Sequence, residues 1–116
     1  MKTPASKDLS TDAIAVFITA PTADEAARLA DLLVSSHLAA CVQILPAIES
    51  VYFWKGSVER QTEVLLIAKT VQSQFAALER EVRAVHSYET PEIVAVPITA
   101  GSAPYLDWLS SGVAKE

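Results

Sequence analysis

Ala13-Ile-Ala-Val-Phe-Ile-Thr19 decides how this 116-residue chain folds. In an extended backbone Ile14, Val16 and Ile18 share one face, and Ala15 and Phe17 share the other. A strand that is apolar on both faces belongs inside a sheet, covered above and below. Pro21-Thr22 ends it. Thr22 and Glu25 have the spacing of a capping box, and Asp24 and Glu25 suit the positive end of a helix. Ala26, Leu29, Ala30 and Leu33 recur at helical spacing. This pattern predicts a helix to about Ser36, with His37 as a cap.

Further along, Ala39-Ala-Cys-Val-Gln-Ile-Leu45 reads as a second strand. Pro46 interrupts it, and Ile48 to Trp54 continues extended. A proline there implies an edge or a bulge. Lys55-Gly56-Ser57 is a turn. Arg60 to Thr70 predicts a third strand, with Val64, Leu66 and Ala68 on one face and Glu63, Leu65, Ile67 and Lys69 on the other. Glu63 and Lys69 stand roughly 20 Å apart along that strand and cannot pair within it. Val71, Phe75, Leu78, Val82 and Val85 form the apolar stripe of a second long helix, and Glu79 with Arg83 gives an i,i+4 pair on its wet side. Ile93 to Ile98 predicts a fourth strand, placed at an edge by Pro97. Beyond Gly101, Ser102 and Pro104 open a short last helix with Tyr105, Trp108 and Leu109 on one face.

The order is β-α-β-β-α-β, an α+β ferredoxin-like sandwich with a long central hairpin and a short C-terminal helix. Right-handed crossovers give the strand order 4-1-3-2, which puts the strands bearing Pro46 and Pro97 at the edges. We expect residues 1–11 to be a flexible tail, 12–112 a single domain and 113–116 a C-terminal tail. Both long helices would cover one face of the sheet. The other face, with Leu65 and Ile67, would be bare in a monomer and calls for self-association.

Composition narrows the function classes. Lys plus Arg number 9 against 14 Asp plus Glu, for a net charge of -5. With no basic run, nucleic acid and anionic membrane surfaces are not expected partners. The single cysteine, Cys41, excludes an internal disulfide and a finger-type zinc site. No apolar run is long enough to span a bilayer, and the first eleven residues lack the apolar core of a secretory signal. A cytoplasmic location is expected.

The densest chemistry lies in His86-Ser-Tyr-Glu-Thr-Pro-Glu92, an imidazole, a phenol and two carboxylates at the mouth of the fourth strand. His86 follows a helix end, where it can cap or bind a ligand, a metal included. Cys41 reads either as a small buried hydrophobe or as a thiolate for copper(I) or zinc. Lys69 suits an anion or a partner in Glu89 or Glu92. Tyr52, Trp54, Tyr105 and Trp108 can line a cleft or fill a subunit joint, and the joint is favoured because aromatics with a polar handle concentrate at interfaces. There is no G-x-S-x-G, Walker A, G-x-G-x-x-G or H-E-x-x-H motif, and a non-enzyme without an organic cofactor is expected.

Five segments resemble the CutA family of divalent-cation-tolerance proteins: Leu38-Ala-Ala-Cys-Val-Gln43, Ser50-Val-Tyr-Phe-Trp-Lys-Gly56, Glu63 with Lys69-Thr70, His86-Ser-Tyr-Glu-Thr-Pro-Glu-Ile93, and Tyr105-Leu-Asp-Trp108. The resemblance runs over residues 13 to 110. It implies a homotrimer whose second and third strands reach neighbouring subunits, and a role in metal homeostasis with copper or another divalent ion. It implies His86 and Cys41 as metal residues. It implies Tyr52, Trp54, Glu63, Lys69, Glu89, Glu92 and Trp108 as residues of the intersubunit cleft. Ile18 and Val85 stand where some copper-binding members carry cysteine and histidine, and Gln43 and Ser87 replace a more usual asparagine and proline. The alternative is a trimer resembling the PII regulators, with a small anionic ligand or signalling partner at the cleft.

Overall fold

The computed structural model describes residues 12–113. Its strands are β1 (Ala13–Ala20), β2 (Cys41–Trp54), β3 (Ser57–Val71) and β4 (Ile93–Pro97). Its helices are α1 (Ala23–Ser35), α2 (Phe75–Val85) and α3 (Ala103–Ser111), with a 3-10 turn at Gln72–Gln74 leading into α2. The sheet order is β2-β3-β1-β4, the order expected from the crossover rule. Strand β1 pairs antiparallel with β3 on one side and β4 on the other. The two proline-bearing strands are the edges.

One face of the sheet meets both long helices. Ile14, Val16, Ile18 and Ala20 stand opposite Thr70, Ala68, Leu66 and Val64 and pack with Leu29, Leu33, Leu78 and Val82. Burying each large side chain here contributes about 1.5–3 kcal/mol. Helix α1 ends in a paired-backbone cap, with Leu38 N–H donating to Leu33 O and His37 N–H to Val34 O. His37 takes φ 62°, the left-handed position usually given to glycine. It therefore caps through its backbone.

The opposite face is covered at one end only. Leu106 and Leu109 of α3 pack there with Ala13, Val71, Ala40 and Ile98. The rest carries Phe17, Leu65, Ile67, Val94 and Val96, aligned by the register of three strands.

Strands β2 and β3 run past the sheet as a long arm, and the molecule measures 56 × 26 × 22 Å. Pairing of β3 with β1 stops at Val64. From Glu63 to Ser57, β3 has β2 alone as its ladder partner. The register shifts between Leu45 and Ile48, where Pro46 has no N–H to give. Lys55 (φ 51°) and Gly56 (φ 88°) close the tip. Two left-handed residues give the turn whose twist matches the strands it joins.

Three expectations need correction. Strand β3 begins at Ser57, not Arg60, because the two-residue turn lets Trp54 pair with Ser57 at once. Val71 ends β3 and packs under α3, and Val85 is exposed, so the inward stripe of α2 centres on Leu78 and Val82. In α3 the inward face is Leu106 and Leu109, while Tyr105 and Trp108 are exposed. They sit one residue earlier, about 100° around the helix. The expected tail at 1–11 and residues 114–116 lie outside the described residues, and Val113 is buried.

Candidate functional site

Where the arm leaves the sheet, polar side chains from four parts of the chain meet. His86 follows α2, and its ring is buried. Its Nε2 lies 2.7 Å from Thr19 O at the end of β1. Its Nδ1 accepts the Tyr88 N–H at 3.0 Å. A carbonyl needs a donor and an N–H needs an acceptor, so the imidazole carries its hydrogen on Nε2.

Glu25 stands beside this ring. Thr22 Oγ1 accepts the Glu25 N–H at 3.1 Å, the expected half of the capping box. The carboxylate does not return to Thr22. It accepts from Ser87 N–H and Ser87 Oγ, each at 2.8 Å, and Oε2 lies 3.4 Å from His86 Nδ1. Burial works against the charge, yet the Ser87 hydrogen bonds, with Arg28, hold the carboxyl below its ordinary value.

Tyr88 carries the connection to the arm. Its ring leans on His86 with centroids 4.9 Å apart. Its hydroxyl donates to Glu63 Oε2 at 2.7 Å and accepts from Gln61 Nε2 at 2.8 Å. Ser50 Oγ donates to Glu63 Oε1 at 2.6 Å, and Tyr52 OH to Gln61 Oε1 at 2.8 Å. Burial and the Glu63 carboxylate push the Tyr88 phenol well up from its ordinary value, so it stays a neutral donor.

A second cluster lies on the partly open sheet face beside α3. Cys41 and Lys69 are direct cross-strand neighbours. Cys41 Sγ lies 3.8 Å from Tyr105 OH. Lys69 Nζ donates to Gln43 Oε1 at 2.9 Å and stands 5.8 Å over the Tyr105 ring. Burial, then the Cys41 thiol, raises the Tyr105 phenol. Trp108 packs against Tyr105, with centroids 5.5 Å apart.

The expected site residues therefore fall in separate places. Glu63 and Tyr52 join the network around Tyr88. Lys69, Cys41 and Trp108 gather at Tyr105. Trp54 is exposed at the arm tip under Lys55, and Glu89 and Glu92 are exposed. Lys69 meets Gln43 instead of Glu89 or Glu92.

His86 and Cys41 are not brought together. Cys41 pairs with Lys69, and Lys69 with Ala15, four residues along β1 from Thr19. Those backbone positions are about 16 Å apart by strand geometry. Both His86 nitrogens are engaged, and the described residues contain no group of three His, Cys, Asp or Glu side chains able to hold an ion. Within one chain the expected metal residues do not fit a metal.

Glu25, Ser50, Gln61 and Tyr88 were not expected as site residues. Tyr88 lay inside the segment singled out for its chemistry. Glu25 had a signal, the capping-box spacing, but that spacing does not say where the carboxylate turns.

The comparisons agree with this architecture. The family described as "CutA1 divalent ion tolerance protein" matches residues 14–112. "Protein CutA 1, chloroplastic" of Oryza sativa subsp. japonica is 44% identical over 106 residues, 91% of this chain and 60% of that protein. The chain thus spans less than two thirds of the rice relative. "Divalent-cation tolerance protein CutA" of Thermus thermophilus is 47% identical over 94 residues, 81% of this chain and 91% of that one. The crystal structure of CutA1 from Oryza sativa superposes with a TM-score of 0.89 at 43% identity, covering 91% of this chain and 97% of that one. With its sheet order, its long arm and nearly its whole described length matched, the chain belongs to the CutA1 divalent ion tolerance family.

Proposed function

We propose that the chain works as a non-enzymatic homotrimer in divalent-cation tolerance in the cytoplasm, and that copper or another divalent ion meets it at clefts between subunits. The observation that carries this is the apolar surface a single chain leaves in water. Along the arm, Val51 is 52% exposed, Phe53 69%, Trp54 54% and Val58 68%. On edge strand β4, Val94 is 49% and Val96 41% exposed. Exposed apolar side chains on the arm and an unpaired apolar edge favour docking on another copy. The number three comes from the family resemblance. The ion belongs between subunits because one chain gathers no ligand set among its described residues. The free thiol of Cys41 suits a reducing compartment.

Light scattering tests the assembly. A mass three times the 12.4 kDa chain is expected, and a single-chain mass at micromolar concentration would overturn it. Calorimetric titration with Cu(II), Cu(I) and Zn(II) tests the ion, with binding expected from the trimer and lost from a dissociated variant. Equal affinity in the two would move the site inside one subunit. Cell fractionation tests the compartment, and recovery with a membrane or exported fraction would overturn it.

A further inference from the structure

We infer that His86 is a positioning residue that fixes the direction in which the β2–β3 arm leaves the sheet, and is not a metal ligand. Its two ring nitrogens, the atoms a metal would need, make short contacts within the chain. A metal on either one would orphan the Thr19 carbonyl or the Tyr88 N–H, which costs more than the hydrogen bond itself.

Those contacts have a consequence. Tyr88 N–H on Nδ1 is a side-chain turn, i to i+2, that sets the backbone carrying Tyr88. The Nε2 contact ties that turn to the last strand residues of β1. The Tyr88 hydroxyl then meets Glu63, the first residue of β3 beyond its pairing with β1. Gln61 and Ser50 extend the grip to both strands of the arm. A two-stranded ribbon beyond a bulge can swing, because β2 and β3 alone hold it there. The clamp from Thr19 through His86 and Tyr88 to Glu63 opposes that swing at its base. The exposed apolar residues the arm presents to other copies then lie at a set angle. The assembly half of this inference rests on the proposed trimer, whereas the clamp itself is read out in any oligomeric state.

The test is hydrogen exchange of the arm amides, residues 49–62, together with scattering and copper titration, on His86→Ala, His86→Asn and Tyr88→Phe. Asparagine places an oxygen where Nδ1 stood and keeps the turn onto the Tyr88 N–H. In His86→Ala and Tyr88→Phe the arm amides should exchange roughly tenfold faster, as a lost buried hydrogen bond implies, with the β1 amides unchanged. His86→Asn keeps the turn onto Tyr88 but loses the Thr19 contact, so it should restore part of the protection. Compared at concentrations where scattering gives each variant the wild-type mass, copper heats should match the wild type in all three. Loss of copper binding in His86→Ala with arm exchange unchanged would overturn the inference, as would arm exchange in His86→Asn as fast as in His86→Ala. A wild-type monomer would refute the trimer and leave the exchange result standing.

Discussion

Tyr88 donates its hydroxyl to Glu63 across 2.7 Å, joining the loop after α2 to the base of the arm. Glu63 is buried at this point, and its charge is met by Tyr88 on one oxygen and Ser50 on the other. A buried carboxylate without water needs such donors, since an unmet lone pair there carries its full desolvation cost. Removing the hydroxyl in Tyr88→Phe leaves Glu63 one donor short and Gln61 without an acceptor. Stability should fall by about 1–3 kcal/mol, measured by urea unfolding. An unchanged midpoint would show that the contact is not a holding one.

Glu25 predicts how stability depends on acid. Its folded carboxyl lies below the ordinary value of 4.5. The ionised form is therefore favoured in the fold, and this contribution is fully present above the unfolded value. It is lost as pH falls through the lower folded value. Unfolding free energy should decline below about pH 4.5, and Glu25→Gln should flatten that decline while lowering stability at neutral pH. Parallel curves for the two proteins would assign the acid loss to other groups.

His37 holds a left-handed backbone that glycine adopts without a steric penalty. Its N–H and that of Leu38 close the cap of α1, and the ring is exposed. His37→Gly should raise stability by about 0.5–1 kcal/mol, seen as a higher melting temperature. A lower one would reveal a contribution from the imidazole.

Phe53 near the arm tip is 69% exposed, so a single chain gains little from it. Phe53→Ser should leave the far-ultraviolet dichroism unchanged and shift the scattering mass toward that of one chain. A trimer unaltered at micromolar concentration would remove the arm tip from the interface.

Much of the fold was legible because its signals are local. The apolar run of Ala13 to Thr19 placed β1 inside the sheet, and Pro46 and Pro97 marked the edges. Failures came where two local rules competed. Val71 and Val85 fit the helical stripe by spacing, yet Val71 completes the ladder opposite Ala13 and Val85 lies at the helix end. The tight turn at Lys55-Gly56 extended β3 because a lysine at a left-handed position carries no strong mark in sequence.

The site was legible only as a list of reactive side chains. His86 and Thr19 are 67 residues apart in the chain, Ser87 and Glu25 are 62 apart, and Tyr88 and Glu63 are 25 apart. Periodicity reports which face of an element is buried and says nothing about which polar group waits across the junction. The sequence by itself determined the order of elements, the edge strands and the family motifs, since backbone preference and alternation act within a few residues. Tertiary structure decided that His86 spends both nitrogens inside the chain and that Cys41 lies elsewhere, because hydrogen-bond partners are chosen only when distant segments close on one another.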